Sequence, residues 1–86
     1  MKDLVELLAR ALVDHPESVD VRQSEDDQAI MLELRVAPDD VGQVIGRQGR
    51  TIKALRTLVH AASIKTNKRA DLEVIDEERD RRRSEG

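Results

Sequence analysis

The sequence has no cysteine and no phenylalanine, tyrosine or tryptophan. Without thiols there can be no disulfide and no thiolate metal site, and a reducing compartment is permitted. Without aromatic rings the core has to be built from Leu, Ile, Val, Ala and Met. No apolar run approaches the roughly 20 residues of a membrane span. The N-terminus sets Asp3 and Glu6 within an amphipathic pattern, which is not the layout of a signal peptide. The expected location is therefore cytoplasmic, with no membrane partner. His15 and His60 are the only histidines. Two isolated imidazoles do not make a metal site, so no metal or other cofactor is expected.

A chain of 86 residues has room for one domain. It buries somewhat more than about 60% of its unfolded surface, which leaves a thin core and little space for a deep ligand pocket. Apolar residues account for 38% of the chain and charged residues for another 38%. The net charge of −3 argues at first against a polyanionic partner, but the charges are unevenly placed. From Gly42 to Arg69 there are seven basic residues (Arg47, Arg50, Lys53, Arg56, Lys65, Lys68 and Arg69) and no Asp or Glu. That stretch carries +7, so the rest of the chain, −3 less +7, carries −10. Ligands respond to the local field rather than to the sum.

Hydrophobic periodicity gives the elements. Met1 to about Asp14 reads as a helix, with Leu4, Val5, Leu8, Ala11 and Leu12 in one stripe. His15-Pro16 ends it, because the residue before proline is driven out of the helical region. Ser18 to Gln23 alternates as a strand, with Val19 and Val21 inward. A polar turn over Ser24–Gln28 leads to a second strand, Ala29 to Val36, with Ile30, Leu32, Leu34 and Val36 inward, and the two strands suggest a hairpin. Pro38-Asp39-Asp40 suits the first turn of a short helix, proline for its fixed φ and the aspartates for the helix dipole. A longer helix runs from Arg50 to about Ile64 with Ile52, Leu55, Val59 and Ala62 as its core stripe. After a turn at Thr66-Asn67-Lys68, Ala70 to Ile75 forms a third strand. The order is helix, strand, strand, helix, helix, strand. It predicts an α+β domain over residues 1–76, a three-stranded sheet covered on one face by three helices. Residues 77–86 form a charged tail, expected to be disordered.

The segment that carries chemistry is Val44-Ile45-Gly46-Arg47-Gln48-Gly49-Arg50-Thr51-Ile52. Two glycines three apart join two helices with no strand between them. Gly46 suits a left-handed helix end, and Gly49 leaves space for a ligand backbone. The amides that open the following helix lack intrahelical partners and lie at the positive end of its dipole, a ready site for phosphate oxygens. Arg47 and Arg50 flank that site, and Lys53 stands one turn further on. The same spacing also fits a plain helix–turn–helix elbow.

With a short helix before it and an amphipathic helix after it, this pattern resembles the KH domain, whose GXXG loop clamps about four nucleotides of single-stranded nucleic acid. The element order resembles the bacterial type II arrangement, over roughly Leu4 to Ile75. The run from Ile45 to Arg56 is similar to the single-KH bacterial proteins of the KhpA family. The resemblance implies a groove in which Val44 and Ile45 offer apolar surface to bases while Gly46, Arg47, Gln48 and Gly49 hold the backbone. It also implies RNA rather than DNA as ligand and an RNA chaperone role. A partner with its own KH domain, KhpB, and a part in cell-wall and cell-shape homeostasis are implied as well.

Other positions keep two readings. Arg56, Lys68 and Arg69 either extend the RNA track or form a solvated face. His60 is read as a surface or boundary histidine and His15 as structural. Leu58, Ala61 and Ile64 either complete a covered helix or form a dimer surface, homodimeric or heterodimeric. No nucleophile–base pair is recognisable, and the loop lacks the Gly-Lys-Ser/Thr ending of a Walker loop, so an enzyme is not expected. The competing function is a protein-interaction adaptor in a ribonucleoprotein complex without direct RNA contact.

Overall fold

Alternation along Ile30, Leu32 and Leu34 marks the strand around which the fold is arranged. In the computed structural model, which describes residues 1–76, this strand, β2 (Ala29–Arg35), lies between β1 (Asp20–Glu25) and β3 (Arg69–Ile75). The expected tail, 77–86, falls outside the described residues. β1 runs antiparallel to β2 with Val21 opposite Leu34, and β3 runs parallel to β2 with Leu72 opposite Leu32. Parallel neighbours need a crossover, and α2 (Val41–Ile45) and α3 (Arg50–Ser63) supply it, while α1 (Lys2–Leu12) precedes the hairpin.

Val21, Ile30, Leu32, Leu34, Ala70 and Leu72 point to one side of the sheet and join Val5, Ala9, Val44, Ile52, Leu55 and Val59 in a single buried cluster. The alternate residues Arg22, Met31, Asp71 and Glu73 are exposed. The helices thus cover one face: the α+β layering is the one the periodicity predicts, and the element order is the type II KH arrangement that the resemblance implies. Among the described residues no helix is long and apolar enough to cross a membrane.

The differences have local causes. The first strand begins later than expected, because Pro16–Ser18 forms a 3-10 turn closed by Ser18 N–H to His15 O at 3.0 Å. It also ends later, since Asp26 Oδ1 accepts the N–H groups of Gln28 (2.8 Å) and Ala29 (2.7 Å) and tightens the connection to a few residues. The second strand stops at Arg35, leaving Val36 half-buried beyond it. α1 is rotated from the expected stripe: Val5 and Ala9 are buried, whereas Leu4, Ala11 and Leu12 are exposed. Its apolar arc is too broad for the sequence to say which part faces the sheet.

Lys68 donates to and pairs with Glu25, tying the hairpin end to the start of β3. That hydrogen bond, and then the lysine's charge, hold the Glu25 carboxyl below its ordinary pKa. The backbone N–H of Gln28, and then that of Ala29, do the same for Asp26. A carboxyl whose pKa falls on folding stabilises the fold above its unfolded pKa, and this contribution disappears as pH drops through the folded value. Melting temperatures followed by circular dichroism are expected to fall as pH is lowered from about 5, where these carboxyls ionise when unfolded. The decline should be shallower in a Glu25→Gln/Asp26→Asn variant.

Candidate nucleic-acid interface

Pro38 fixes the entry to a 3-10 turn over Pro38–Asp40, and α2 continues from it for five residues. Val44, on the inward side of this short helix, has no exposed surface. It is part of the core and cannot present itself to a base, which corrects the expectation drawn from the resemblance. Ile45 is half-buried and retains surface at the end of the helix. Asp40 stands in the first turn, as expected, but serves a partner outside it. Its carboxylate does not cap a helix; it is 1% exposed and accepts the N–H groups of Asp14 (3.2 Å) and His15 (2.9 Å).

α2 ends with Gly46 N–H donating to Gly42 O at 2.8 Å. Gly46 has φ 76° and ψ 172°, beyond the left-handed helical well and in a region open essentially to glycine alone. A Cβ there would lie 2.8 Å from Thr51 Cβ and 2.9 Å from Thr51 N, and nearer still to Thr51 Oγ1. Gln48 (φ 57°, ψ 24°) and Gly49 (φ 73°, ψ 17°) are both left-handed. A Cβ on Gly49 would meet only Ile52 Cγ2, at 3.9 Å. Gly46 is therefore required by a close approach, whereas Gly49 is required by its backbone angle and leaves open space above it.

Gly49 N–H donates to Gly46 O at 3.2 Å, and Arg50 N–H donates to Arg47 O. Two of the amides expected to be available are thus engaged in closing the loop. The first turn of α3 has neither a side-chain cap nor an acidic residue, so among the described residues no side chain caps the amides there. Arg47, Gln48 and Arg50 line one open depression, with Arg50 Nη2 3.4 Å from Gln48 Oε1. Lys53 is exposed one turn along α3. Among the described residues Arg47, Arg50 and Lys53 form no ion pair.

The remaining basic residues are differently placed. Arg56 Nε donates to Leu72 O at 3.0 Å and ties α3 to β3. Lys68 is engaged by Glu25. Arg69 is exposed beside His60, Ser63 and Asp71 in a separate depression, where His60 Nε2 stands 4.0 Å from Asp71 Oδ1. Lys68 and Arg69 follow the far end of α3, roughly 20 Å from the loop at 1.5 Å per residue. The structure brings Ile45, Gly46, Arg47, Gln48, Gly49, Arg50 and Lys53 together and leaves Arg56, Lys68 and Arg69 outside that group. Among the described residues no cluster of His, Cys, Asp and Glu suited to a metal ion is present.

Urea unfolding should separate the two glycines. Gly49→Ala places an L-residue in the left-handed well, at about 1–2 kcal/mol. Gly46→Ala adds overlap with Thr51 and should lose ~3 kcal/mol or more. Equal losses would contradict the tight seat of Gly46.

Comparison with known proteins finds relatives over nearly the whole of the described chain. The family model described as KhpA/KhpB, KH domain, matches residues 2–74. The "RNA-binding protein KhpA" of Clostridium perfringens is 53% identical over 75 residues, covering 87% of this chain and all of that protein. Its namesake from Halalkalibacterium halodurans is 54% identical over 76 residues, 88% of this chain and all of that one. The Bacillus subtilis protein of the same name is 45% identical over 76 residues, 88% of this chain and 94% of its own. No solved structure matches the chain. Fold, loop and matched length together show that this chain belongs to the KhpA/KhpB family of KH domains.

Proposed function

We propose that the protein binds single-stranded RNA in the cytoplasm by its backbone, through Gly46–Gly49 and the first turn of α3. The observation that carries this reading is the left-handed loop itself, walled by Arg47 and Arg50, which have no acidic partner among the described residues. Relatives spanning nearly the same length are named RNA-binding proteins, which supports the ligand class. As a KH-domain protein of this family the chain is a binding protein, not an enzyme.

Phosphate groups would be held by charge and by backbone donors, with Ile45 as the apolar edge beside them. Lacking aromatic residues, the protein forgoes the base stacking that elsewhere contributes about 1–3 kcal/mol per base. Affinity is then modest and sequence preference loose, which suits an RNA chaperone acting on many transcripts. The family pairs KhpA with KhpB in its name. A KH-containing partner, and through it a role in cell-wall and cell-shape homeostasis, fits a domain whose own grip is weak, because a second domain adds effective concentration.

The exposed Leu58 (45%) on α3 and Ile64 (75%) in the turn that follows it favour a protein contact in addition to RNA, in a homodimer or a heterodimer. Sedimentation should show the native chain self-associating, and a Leu58→Asp/Ile64→Asp variant remaining monomeric. A native chain that stays monomeric at all concentrations would leave this surface to another protein.

RNA binding is tested by fluorescence anisotropy of a short labelled oligoribonucleotide at two salt concentrations. About three phosphate contacts, at ~0.7 each, give a logarithmic salt slope near −2. An Arg47→Asp/Gln48→Asp variant with native circular dichroism should lose most of its affinity. Undiminished binding by that variant would remove the loop from the mechanism and favour the adaptor reading.

A further inference from the structure

The most deeply buried charged side chain in the described structure lies outside the loop. Asp40 is 1% exposed, and each of its oxygens accepts a backbone N–H from a segment far away in sequence, Asp14 at 3.2 Å and His15 at 2.9 Å. Those two amides come just after the last α1 bond, from Val13 N–H to Ala9 O. They lie beyond the helix, and among the described residues no backbone carbonyl accepts from either of them. Asp40 also closes the 3-10 turn that feeds α2, with its own N–H on Ala37 O at 2.8 Å. Gln43, further along α2, donates from Nε2 to Asp14 Oδ2 at 3.1 Å. The segment leaving α1 is thus fastened to the start of α2 at two points.

This matters for the loop because of what α2 is. A helix of five residues has no stability of its own, so its position along its axis is set by what holds it. Its far end is Gly46, whose seat against Thr51 has no room for even a methyl group. Any displacement of α2 is transmitted directly to the corner that shapes the loop.

We propose that Asp40, assisted by Gln43, is a positioning residue for RNA binding. It fastens α2 to the end of α1 and so fixes where Gly46–Gly49 stands relative to the first turn of α3. Asp40 itself has no surface with which to touch RNA. The proposal rests on the loop reading given above.

Three variants test it. Asp40→Asn keeps the volume but turns an amide donor towards one of the two N–H groups. Gln43→Ala cuts the exposed link and leaves the core intact. Val21→Ala, on β1, serves as a control that lowers stability without removing any hydrogen bond that fastens α2 to the end of α1. Each is titrated with a labelled oligouridylate at a temperature where circular dichroism shows it fully folded, and the Gly46 and Gly49 amide resonances are followed by NMR. Coupling through a positioning contact predicts an affinity loss of roughly 3- to 30-fold for Asp40→Asn and about twofold for Gln43→Ala. Both glycine resonances should shift in these two variants, whereas Val21→Ala should bind as the native chain does.

Native affinity and unmoved glycine resonances in Asp40→Asn, despite a lowered melting temperature, would overturn the proposal and leave Asp40 a purely structural acid. If Asp40→Asn does not fold, Gln43→Ala decides on the same two readouts. The Arg47→Asp/Gln48→Asp variant is run alongside: if it retains native affinity, the loop reading fails and the clamp falls with it. If it loses affinity while Asp40→Asn and Gln43→Ala do not, only the clamp fails.

Discussion

Two helices meet at Gly46 with so little clearance that a single methyl group would strike the backbone of Thr51. The two chain directions, the φ of +76° that connects them and the left-handed residues that follow are one solution to that contact. Because the corner is closed on its inner side, the loop is displayed on its outer side, where a Cβ at Gly49 would find almost no neighbour. The same tightness fixes Arg47 and Arg50 on either side of an open depression. A loop able to relax would let these arginines fold back onto acidic residues elsewhere in the chain. Here they form no ion pairs with the described residues.

Much of this was legible in the residues. Strand β2 and the core face of α3 announce themselves because one apolar residue in two, or in three to four, is a pattern that solvent exposure would not tolerate. Gly46 and Gly49 are visible because two glycines three apart between helical stretches mark a tight corner, whether or not it holds a ligand. What could not be read is equally specific. In α1 nearly every position from Leu4 to Val13 is apolar except Glu6 and Arg10, so periodicity could not choose between Leu4 and Ala9 for the core. The burial of Val44 follows from how α2 packs against α1 and α3, which a five-residue helix does not encode. Asp40 resembles any acid at a helix start; its partners are 25 and 26 residues away, and no local pattern records them.

Charge tells a similar story. A run of 28 residues without an acid, Gly42 to Arg69, suggests a continuous basic surface, but the fold divides it. Arg56 and Lys68 are drawn into holding β3 to α3 and to the hairpin, while Arg47, Arg50 and Lys53 remain available to solvent and ligand. Segregation of charge in the sequence marks the region only as a whole; the folded structure separates cations left unpaired among the described residues from cations that fasten the protein together.

The parallel pairing of β2 with β3 has a further consequence for how the molecule comes into being. Ala29 is registered with Arg69 and Arg35 with Ile75, so each ladder contact spans forty residues, and everything between them, the glycine corner included, belongs to one long crossover. The hairpin can form from local contacts, but the crossover is closed only when the final strand arrives, a non-local event that is slow relative to helix and hairpin formation. On the ribosome, residues up to Ile75 must have emerged before Leu72 can dock beside Leu32. The crossover, with the loop inside it, is thus secured at both ends in the sheet only by that last pairing.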